Sequence, residues 1–170
     1  MSWVWWTLGI LIAIILIVVG VGALLPQSHI AARTIELRHP PAHVWSVLTN
    51  VRDYPSWRRG LTSVDVLPAP AGAQLAWREH TGSDALAFDA PEMIAPSRLV
   101  SRITDRGIPF GGTWTYELVP TANGAGTSLT ITEHGEVYNP LFRFVSRFVI
   151  GHHKTIDNYQ ADLARKLDGA

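Results

Sequence analysis

The 170-residue sequence contains no cysteine, and its opposite charges cancel. Without thiols the chain has no disulfide, no thiolate nucleophile and no cysteine-ligated metal, which fits a reducing compartment. Fourteen basic residues balance fourteen acidic ones, so no net charge draws the chain to nucleic acid. We therefore expect no nucleic-acid partner. The length allows one ordinary domain and an appendage.

Motifs of several catalytic and cofactor-binding classes are also missing. The sequence has no GxSxG nucleophile elbow, no phosphate-binding P-loop, no GxGxxG fingerprint and no HExxH zinc motif. His152 and His153 are adjacent, and neighbouring residues on a helix point about 100° apart, so the pair does not hold one ion together. We predict no metal and no cofactor.

Charged side chains are absent from the first 32 residues. A helix over residues 3–25 would be roughly 35 Å long, enough to cross a hydrocarbon core of about 30 Å. Trp3, Trp5 and Trp6 cluster at one end, where indole rings favour the headgroup layer. A cleaved signal peptide has a basic first region and a shorter apolar stretch. We therefore predict a transmembrane helix with its flank at residues 1–26.

The flanks of this helix predict its orientation. No lysine or arginine precedes it, whereas Arg33 and Arg38 follow it. The positive-inside rule then places the globular domain in the cytoplasm, as part of a single-pass membrane protein. Residues 27–33 are predicted to form a short linker, which spans less than about 30 Å even when fully extended. The domain is therefore expected next to the bilayer.

Hydrophobic period and turn signals predict the elements of the remaining chain. A strand at residues 34–37 and short helices at 41–49 and 51–57 come first. Six strands are then predicted at residues 62–67, 74–81, 86–94, 98–104, 113–119 and 128–137. Asn139 and Pro140 begin a helix that is predicted to run unbroken to Leu167. This order predicts an α+β fold in which a curved antiparallel sheet of six to seven strands wraps a long C-terminal helix.

Three stretches resemble a known superfamily. PPAHVWSVLTNVRDYPSW at residues 40–57 resembles the opening motif of the START-like superfamily, also called SRPBCC, which includes polyketide cyclase/dehydrase-like proteins. GTWTYELVP and GTSLTITEHGEVYNP at residues 112–120 and 126–140 are similar as well. The resemblance implies a helix-grip domain over residues 34–168. It also implies a mostly apolar cavity between sheet and helix, which holds lipids, polyketides or other hydrophobic molecules.

Alternation along the strands predicts which side chains enter that cavity, because every second residue shares a face. If the apolar set faces inward, Trp77, Trp114 and Tyr116 line the cavity, and Glu79 and Glu133 enter it. A desolvated carboxylate there would be a candidate general acid or base. The alternative is that both carboxylates lie at the rim.

Four further residues complete the candidate site. His152 falls on the apolar stripe of the last helix and is a weak catalytic candidate beside the two carboxylates. Phe148 and Tyr159, on the same helix, are candidate cavity residues. Arg102 is placed at the cavity mouth, where a guanidinium would recognise a carboxylate or phosphate or pair with a rim glutamate.

Three functions remain open, because one fold hosts both binding and catalysis. We favour a non-enzymatic module that binds or transfers a hydrophobic ligand, such as a lipid or polyketide-like molecule, at the adjacent membrane. The second hypothesis is an aromatase/cyclase-like enzyme that uses acid/base residues of the cavity. The third is a non-catalytic domain that interacts with a membrane protein; it predicts a filled cavity and an exposed apolar patch. The sequence identifies no protein partner.

Overall fold

One long apolar helix precedes the rest of the fold. The computed structural model describes residues 2–122, 124–151 and 153–169. Helix α1 covers Ser2–Leu24. Within it, Trp3–Leu24 is long and apolar enough to cross a membrane, and only 6% of its most apolar window is buried. The low burial separates α1 from the core helix of a soluble protein, although a signal sequence has the same length and composition.

Seven strands and further helices follow in the described part of the chain. Strand β1 covers Ser28–Leu37, helix α2 covers Pro41–Thr49, and a 3₁₀ helix covers Val51–Ser56. Strands β2 to β7 are Ser63–Leu67, Leu75–Thr81, Asp84–Ile94, Arg98–Ile103, Phe110–Pro120 and Thr127–Val137. Helix α3 (Pro140–Val145), a π-helical turn (Ser146–Ile150) and helix α4 (Lys154–Leu167) end the chain.

The strands form one antiparallel sheet in the order β1-β7-β6-β5-β4-β3-β2. Strands β2 to β7 are a simple meander, and β1 joins it beside β7, where Ser28 pairs with Glu136 and Leu37 with Thr127. The predicted α+β helix-grip architecture is confirmed, with seven strands.

The core lies between the inner face of this sheet and one face of α4. Leu129 and Ile131 alternate along β7 and are fully buried, as are Ile156 and Leu163 on α4. Val44 and Leu48 of α2 also belong to this core. Burial of each such side chain contributes about 1.5–3 kcal/mol, and the spacing of these positions fixes which face of each element turns inward.

The predicted unbroken C-terminal helix is wrong. Helix α3 passes into a π-helical turn, in which the Gly151 N–H donates to the Ser146 carbonyl oxygen at 3.0 Å. Gly151 then leaves the helix with φ of 78°, a left-handed conformation that glycine adopts without strain. The apolar period continues across the break, which explains why the sequence pattern did not reveal it.

The first strand begins earlier than the sequence pattern predicts. Residues 28–33, which were assigned to the linker, pair with the end of β7. Only residues 25–27 therefore separate α1 from the sheet. Pairing with a distant strand decides this boundary, and local alternation does not report it.

Helix α1 contacts α3 at a glycine. A Cβ atom placed on Gly22 would lie 1.9 Å from the carbonyl oxygen of Pro140, so only glycine allows this approach. Next to it, Arg143 Nη1 donates to the Leu25 carbonyl oxygen at 3.0 Å. This bond satisfies a carbonyl group beyond the end of α1. The two helices are thus joined by backbone contact and by a hydrogen bond.

We expect Gly22→Ala to separate α3 from α1. The added methyl group would overpack this contact at a free-energy cost of about 1–3 kcal/mol. The hydrogen-exchange rates of α3 amides, such as that of Arg143, should then rise roughly 5- to 100-fold. Gly20→Ala is the matched control, because a Cβ atom at Gly20 meets nothing within 4 Å. Hydrogen–deuterium exchange on both full-length variants in nanodiscs checks the prediction. Equal α3 exchange in the two variants would contradict the contact.

Candidate functional site

Aromatic side chains occupy the interior between the sheet and α4. Trp77 on β3, Tyr116 on β6 and Tyr159 on α4 are all buried. Their rings and those of three further residues contact one another at centroid distances of 5.3–6.5 Å. We call these six residues the aromatic cluster: Tyr54, Trp57, Trp77, Trp114, Tyr116 and Tyr159.

The 3₁₀ helix supplies two members of the cluster from the N-terminal motif. Pro55 lies inside this short helix, and the Trp57 N–H caps it by donating to the Tyr54 carbonyl oxygen at 3.1 Å. The Tyr54 hydroxyl donates to the Leu48 carbonyl oxygen of α2 at 2.6 Å. These bonds hold the Tyr54 and Trp57 rings edge to face, with centroids 5.3 Å apart.

A buried ion pair lies within the aromatic cluster. Arg58 Nη1 donates to Glu79 Oε1 at 2.5 Å, and Trp77 Nε1 donates to the same oxygen at 3.0 Å. The Arg58 guanidinium lies 5.0 Å from the ring centroids of both Tyr54 and Tyr159, within cation–π range. Burial lowers the pKa of Arg58, but the charge and hydrogen bond of Glu79, together with the neighbouring Tyr159 and Tyr54, raise it overall. Arg58 therefore keeps its positive charge beside Glu79.

Two polar atoms of the cluster have no such partner. Trp57 Nε1 and Tyr159 Oη are buried and have no hydrogen-bond partner at standard geometry within the described part of the chain, although the Tyr159 hydroxyl interacts with the hydroxyls of Tyr54 and Tyr116. Their rings lie close together, with centroids 5.5 Å apart. Burial raises the pKa of Tyr159, so its hydroxyl keeps the proton and can donate it. Leaving a buried polar group unpaired costs roughly 1–3 kcal/mol, which a ligand oxygen that reached both atoms would offset.

Glu133 lies at the β1 side of the interior, directly opposite Trp114 in the β6–β7 pairing. Burial raises the pKa of Glu133, while a hydrogen bond with the Trp114 side chain and the charge of His153 act in the opposite direction. His29 Nε2 lies 3.6 Å from Glu133 Oε1. Burial lowers the pKa of His29, which favours its neutral form.

The structure brings together only part of the predicted site. Glu79 and Glu133 both lie on inward-facing positions, but three strands separate β3 from β7. That separation is about 19 Å along the sheet, and among the residues that the structure describes the two carboxylates have different partners, Arg58 for Glu79 and His29 for Glu133. The converging pair of carboxylates that the enzyme hypothesis would need is therefore not assembled.

Two predicted cavity residues lie elsewhere. Arg102 is on the opposite face of β5 from the core residue Leu99. There it forms a two-bond pair with Asp89, with Nε–Oδ1 and Nη2–Oδ2 distances of 3.1 and 2.6 Å. Phe148 is 60% exposed in the π-helical turn. Both placements correct the expectation. His152 lies outside the described residues.

Three site residues were not predicted from the sequence: Tyr54, Trp57 and Arg58. Arg58 is the charged one among them. It follows Trp57 in a pair of arginines, and nothing in the local pattern tells which of the two turns inward. One signal was available: a carboxylate predicted to face an aromatic interior needs a cation beside it. A search for the partner of Glu79 would have considered Arg58.

A surface cleft of about 560 Å³ adjoins the cluster at the C-terminal end of α4. Trp57 and Arg58 form part of its wall, and the charged residues Arg59, Asp162, Arg165 and Lys166 form another part. Buried Asp162 accepts hydrogen bonds there from the backbone N–H and Nε of Arg59, at 2.9 and 2.7 Å. No group of three or more potential metal ligands occurs within the residues that the structure describes.

Comparison with known proteins supports the fold described above. Residues 37–154 match the model of a family described as polyketide cyclase / dehydrase and lipid transport. No curated protein matches the chain. A START superfamily protein from Mycobacterium smegmatis is 13% identical, with a TM-score of 0.66 over 83% of this chain and 98% of that one.

Two similar structures are enzymes by their descriptions. The Zhui aromatase/cyclase from Streptomyces sp. R1128 is 14% identical, with a TM-score of 0.58 over 82% of this chain and 96% of that one. A norcoclaurine synthase from Thalictrum flavum is 8% identical, with a TM-score of 0.65 over 84% and 95%. Identities this low show a common fold and leave the activity open.

Removal of the Arg58 charge should strongly destabilise the domain. Arg58→Met leaves Glu79 buried without its partner, which typically costs about 3–5 kcal/mol. The Arg58→Met/Glu79→Met double variant should cost less than the sum of the two single changes. Arg33→Met is the control, because Arg33 and Asp157 form an exposed pair worth less than about 1 kcal/mol. Urea unfolding in detergent gives the four free energies, and strict additivity would contradict the coupling.

Glu133→Gln should stabilise the protein at neutral pH. Because the folded state raises the pKa of Glu133, the wild type loses stability as the pH rises above the usual value of 4.5. The variant avoids that loss, so the two should differ at about pH 7.5 and converge near about pH 3.5. Glu117→Gln is the control, since Glu117 is half exposed and the change removes only a surface pair with Arg98, worth less than about 1 kcal/mol. The midpoints of urea unfolding at both pH values test this prediction. A Glu133→Gln midpoint equal to that of the wild type at the higher pH would contradict it.

Proposed function

The chain belongs to the polyketide cyclase/dehydrase and lipid transport family, and from this premise we propose that it binds a hydrophobic molecule between its sheet and α4 while α1 anchors it to a membrane. The resemblance to START-like proteins is confirmed by the family match and by the similar structures. The family description includes both catalysis and transport. The choice between them therefore depends on the interior of this chain.

The unpaired polar atoms of Trp57 and Tyr159 carry the proposal. An indole N–H and a neutral phenol on rings 5.5 Å apart would suit a ligand oxygen, such as a carbonyl or hydroxyl oxygen. The surrounding rings of Trp77, Trp114 and Tyr116 suit an apolar or aromatic body, but they fill the interior and would have to move apart to admit it. We therefore infer a hydrophobic ligand with a polar oxygen at its inner end, and an interior that opens when the ligand binds.

Binding is better supported than catalysis. Glu79 Oε1 already accepts hydrogen bonds from Arg58 and Trp77, so this carboxylate is committed to the structure. Glu133 lies on β7, with three strands between it and Glu79 on β3. The enzyme hypothesis thus loses the acid/base pair on which it depended. A carrier or presenting module needs neither residue to react.

The membrane part of the proposal follows from α1. Its exposed apolar surface has no covering within the described chain, and only three residues connect it to β1. Arg33 and Arg38 follow it, and basic residues close after a membrane span favour a cytoplasmic domain. The binding interior would then lie next to a bilayer that holds hydrophobic molecules.

The test of the ligand site uses a pair of tyrosines. Full-length protein purified from its own membrane should retain a hydrophobic molecule, identified by native mass spectrometry. Tyr159→Phe should weaken its binding roughly 2- to 10-fold while lowering the stability of the empty protein by less than Tyr54→Phe does, because the Tyr159 hydroxyl makes no hydrogen bond of standard geometry within the described residues. Tyr54→Phe is the matched control: it breaks the bond to the Leu48 carbonyl oxygen and should lower stability without weakening binding.

Calorimetry in nanodiscs gives the affinities, and thermal unfolding gives the stabilities. Two results would overturn the proposal. The first is a protein that carries no molecule and does not respond to a panel of lipids and aromatic polyketides. The second is a Tyr159→Phe variant whose affinity equals that of the wild type.

A further inference from the structure

Residues 140–150 expose a group of large apolar side chains. This stretch, here called the α3–π segment, comprises α3 and the π-helical turn. None of the six residues of α3 is buried. Phe148 is 60% exposed and Val149 73% exposed, and Leu141 and Phe142 are also exposed. Because soluble surfaces rarely group such side chains, the segment needs an apolar partner.

The position of the segment identifies that partner. Gly22 of α1 lies against the backbone of Pro140, and Arg143 bonds the Leu25 carbonyl oxygen. The segment therefore packs beside the last turns of the candidate membrane span. If α1 crosses a bilayer, the α3–π segment lies at the depth where α1 leaves it.

The composition of the α3–π segment suits a position at the surface of the bilayer, where α1 leaves it. Residues 139–151 contain two arginines, Arg143 and Arg147, and no acidic residue. Phenylalanine, leucine and valine fill most of the remaining positions. A short basic helix with exposed aromatic and aliphatic side chains is typical of elements that lie in the headgroup layer. Arg147 is exposed and would meet a lipid phosphate there, whereas Arg143 is held by the carbonyl oxygens of Leu25 and Tyr138.

We propose that the α3–π segment is a second membrane-binding element, which lies in the headgroup layer beside α1 and inserts Phe142, Phe148 and Val149 among the acyl chains. The inference rests on the membrane anchoring proposed above and does not depend on a ligand. A bilayer satisfies the exposed apolar side chains and the basic charge at once, and no second protein is required.

Single cysteines test this directly, because the chain has none of its own. Val149→Cys, labelled with an environment-sensitive nitrobenzoxadiazole dye, is reconstituted as full-length protein in vesicles of phosphatidylcholine and phosphatidylglycerol. We expect a blue-shifted emission that shallow spin-labelled lipids quench and aqueous iodide does not. Val119→Cys is the matched control: Val119 is 58% exposed on β6, and its dye should remain accessible to iodide.

Ile14→Cys, in the middle of α1, separates this inference from the anchoring proposal. Quenching of the Ile14 dye by deep spin-labelled lipids together with iodide quenching at Val149 would overturn the inference and leave the anchor intact. A Val149 dye shielded from both lipid and iodide would also overturn it, since a protein surface would then cover the segment. An Ile14 dye that no lipid quenches would overturn the anchoring and this inference together.

Discussion

The buried pair between Arg58 and Glu79 is the constraint on which the interior depends. Glu79 is one of the inward positions of β3, so its carboxylate needs a cation that the sheet itself does not supply there. The residue after Trp57 supplies it, and the guanidinium then lies between the rings of Tyr54 and Tyr159. The Arg58 side chain thereby contacts residues of the 3₁₀ helix, of the sheet and of α4. Such a pair adds little net stability compared with apolar side chains of similar size, but removal of one partner alone is costly. The pair therefore serves to fix the relative positions of these three elements.

The Arg58–Glu79 pair explains why residues 40–57 are rich in tryptophan, tyrosine and proline. Two short helices bring bulky rings to one end of the sheet, and Pro55 fixes the backbone of the second helix. Tyr54 and Trp57 enter the core, and the chain then delivers Arg58 to Glu79. The motif therefore closes the fold and also positions the charge that the interior requires.

Strand alternation predicted a substantial part of the interior, because it is a local property. Trp77, Trp114 and Tyr116 share the inner face as their spacing predicts, whereas a role in ligand binding remains a proposal. Features set by distant residues were missed. Arg102 takes its position from Asp89 on the neighbouring strand, and the helix break depends on Gly151, whose conformation the apolar period does not report. Register and backbone geometry, which arise from tertiary pairing, lie beyond single-sequence patterns.

The two ends of α4 differ in how firmly they are held. At its C-terminal end, Asp162 bonds Arg59, and Lys166 lies 2.8 Å from Asp53 of the 3₁₀ helix. At its N-terminal end, Asp157 accepts a hydrogen bond from Arg33 Nε at 3.1 Å, but both side chains of this pair are about half exposed. The Gln160 side chain donates to the Arg33 carbonyl oxygen at 3.0 Å. Because an exposed ion pair is worth less than about 1 kcal/mol, the N-terminal end of α4 is held less firmly than the C-terminal end. Under the function proposed above, a hydrophobic molecule would therefore enter the aromatic cluster at the N-terminal end of α4.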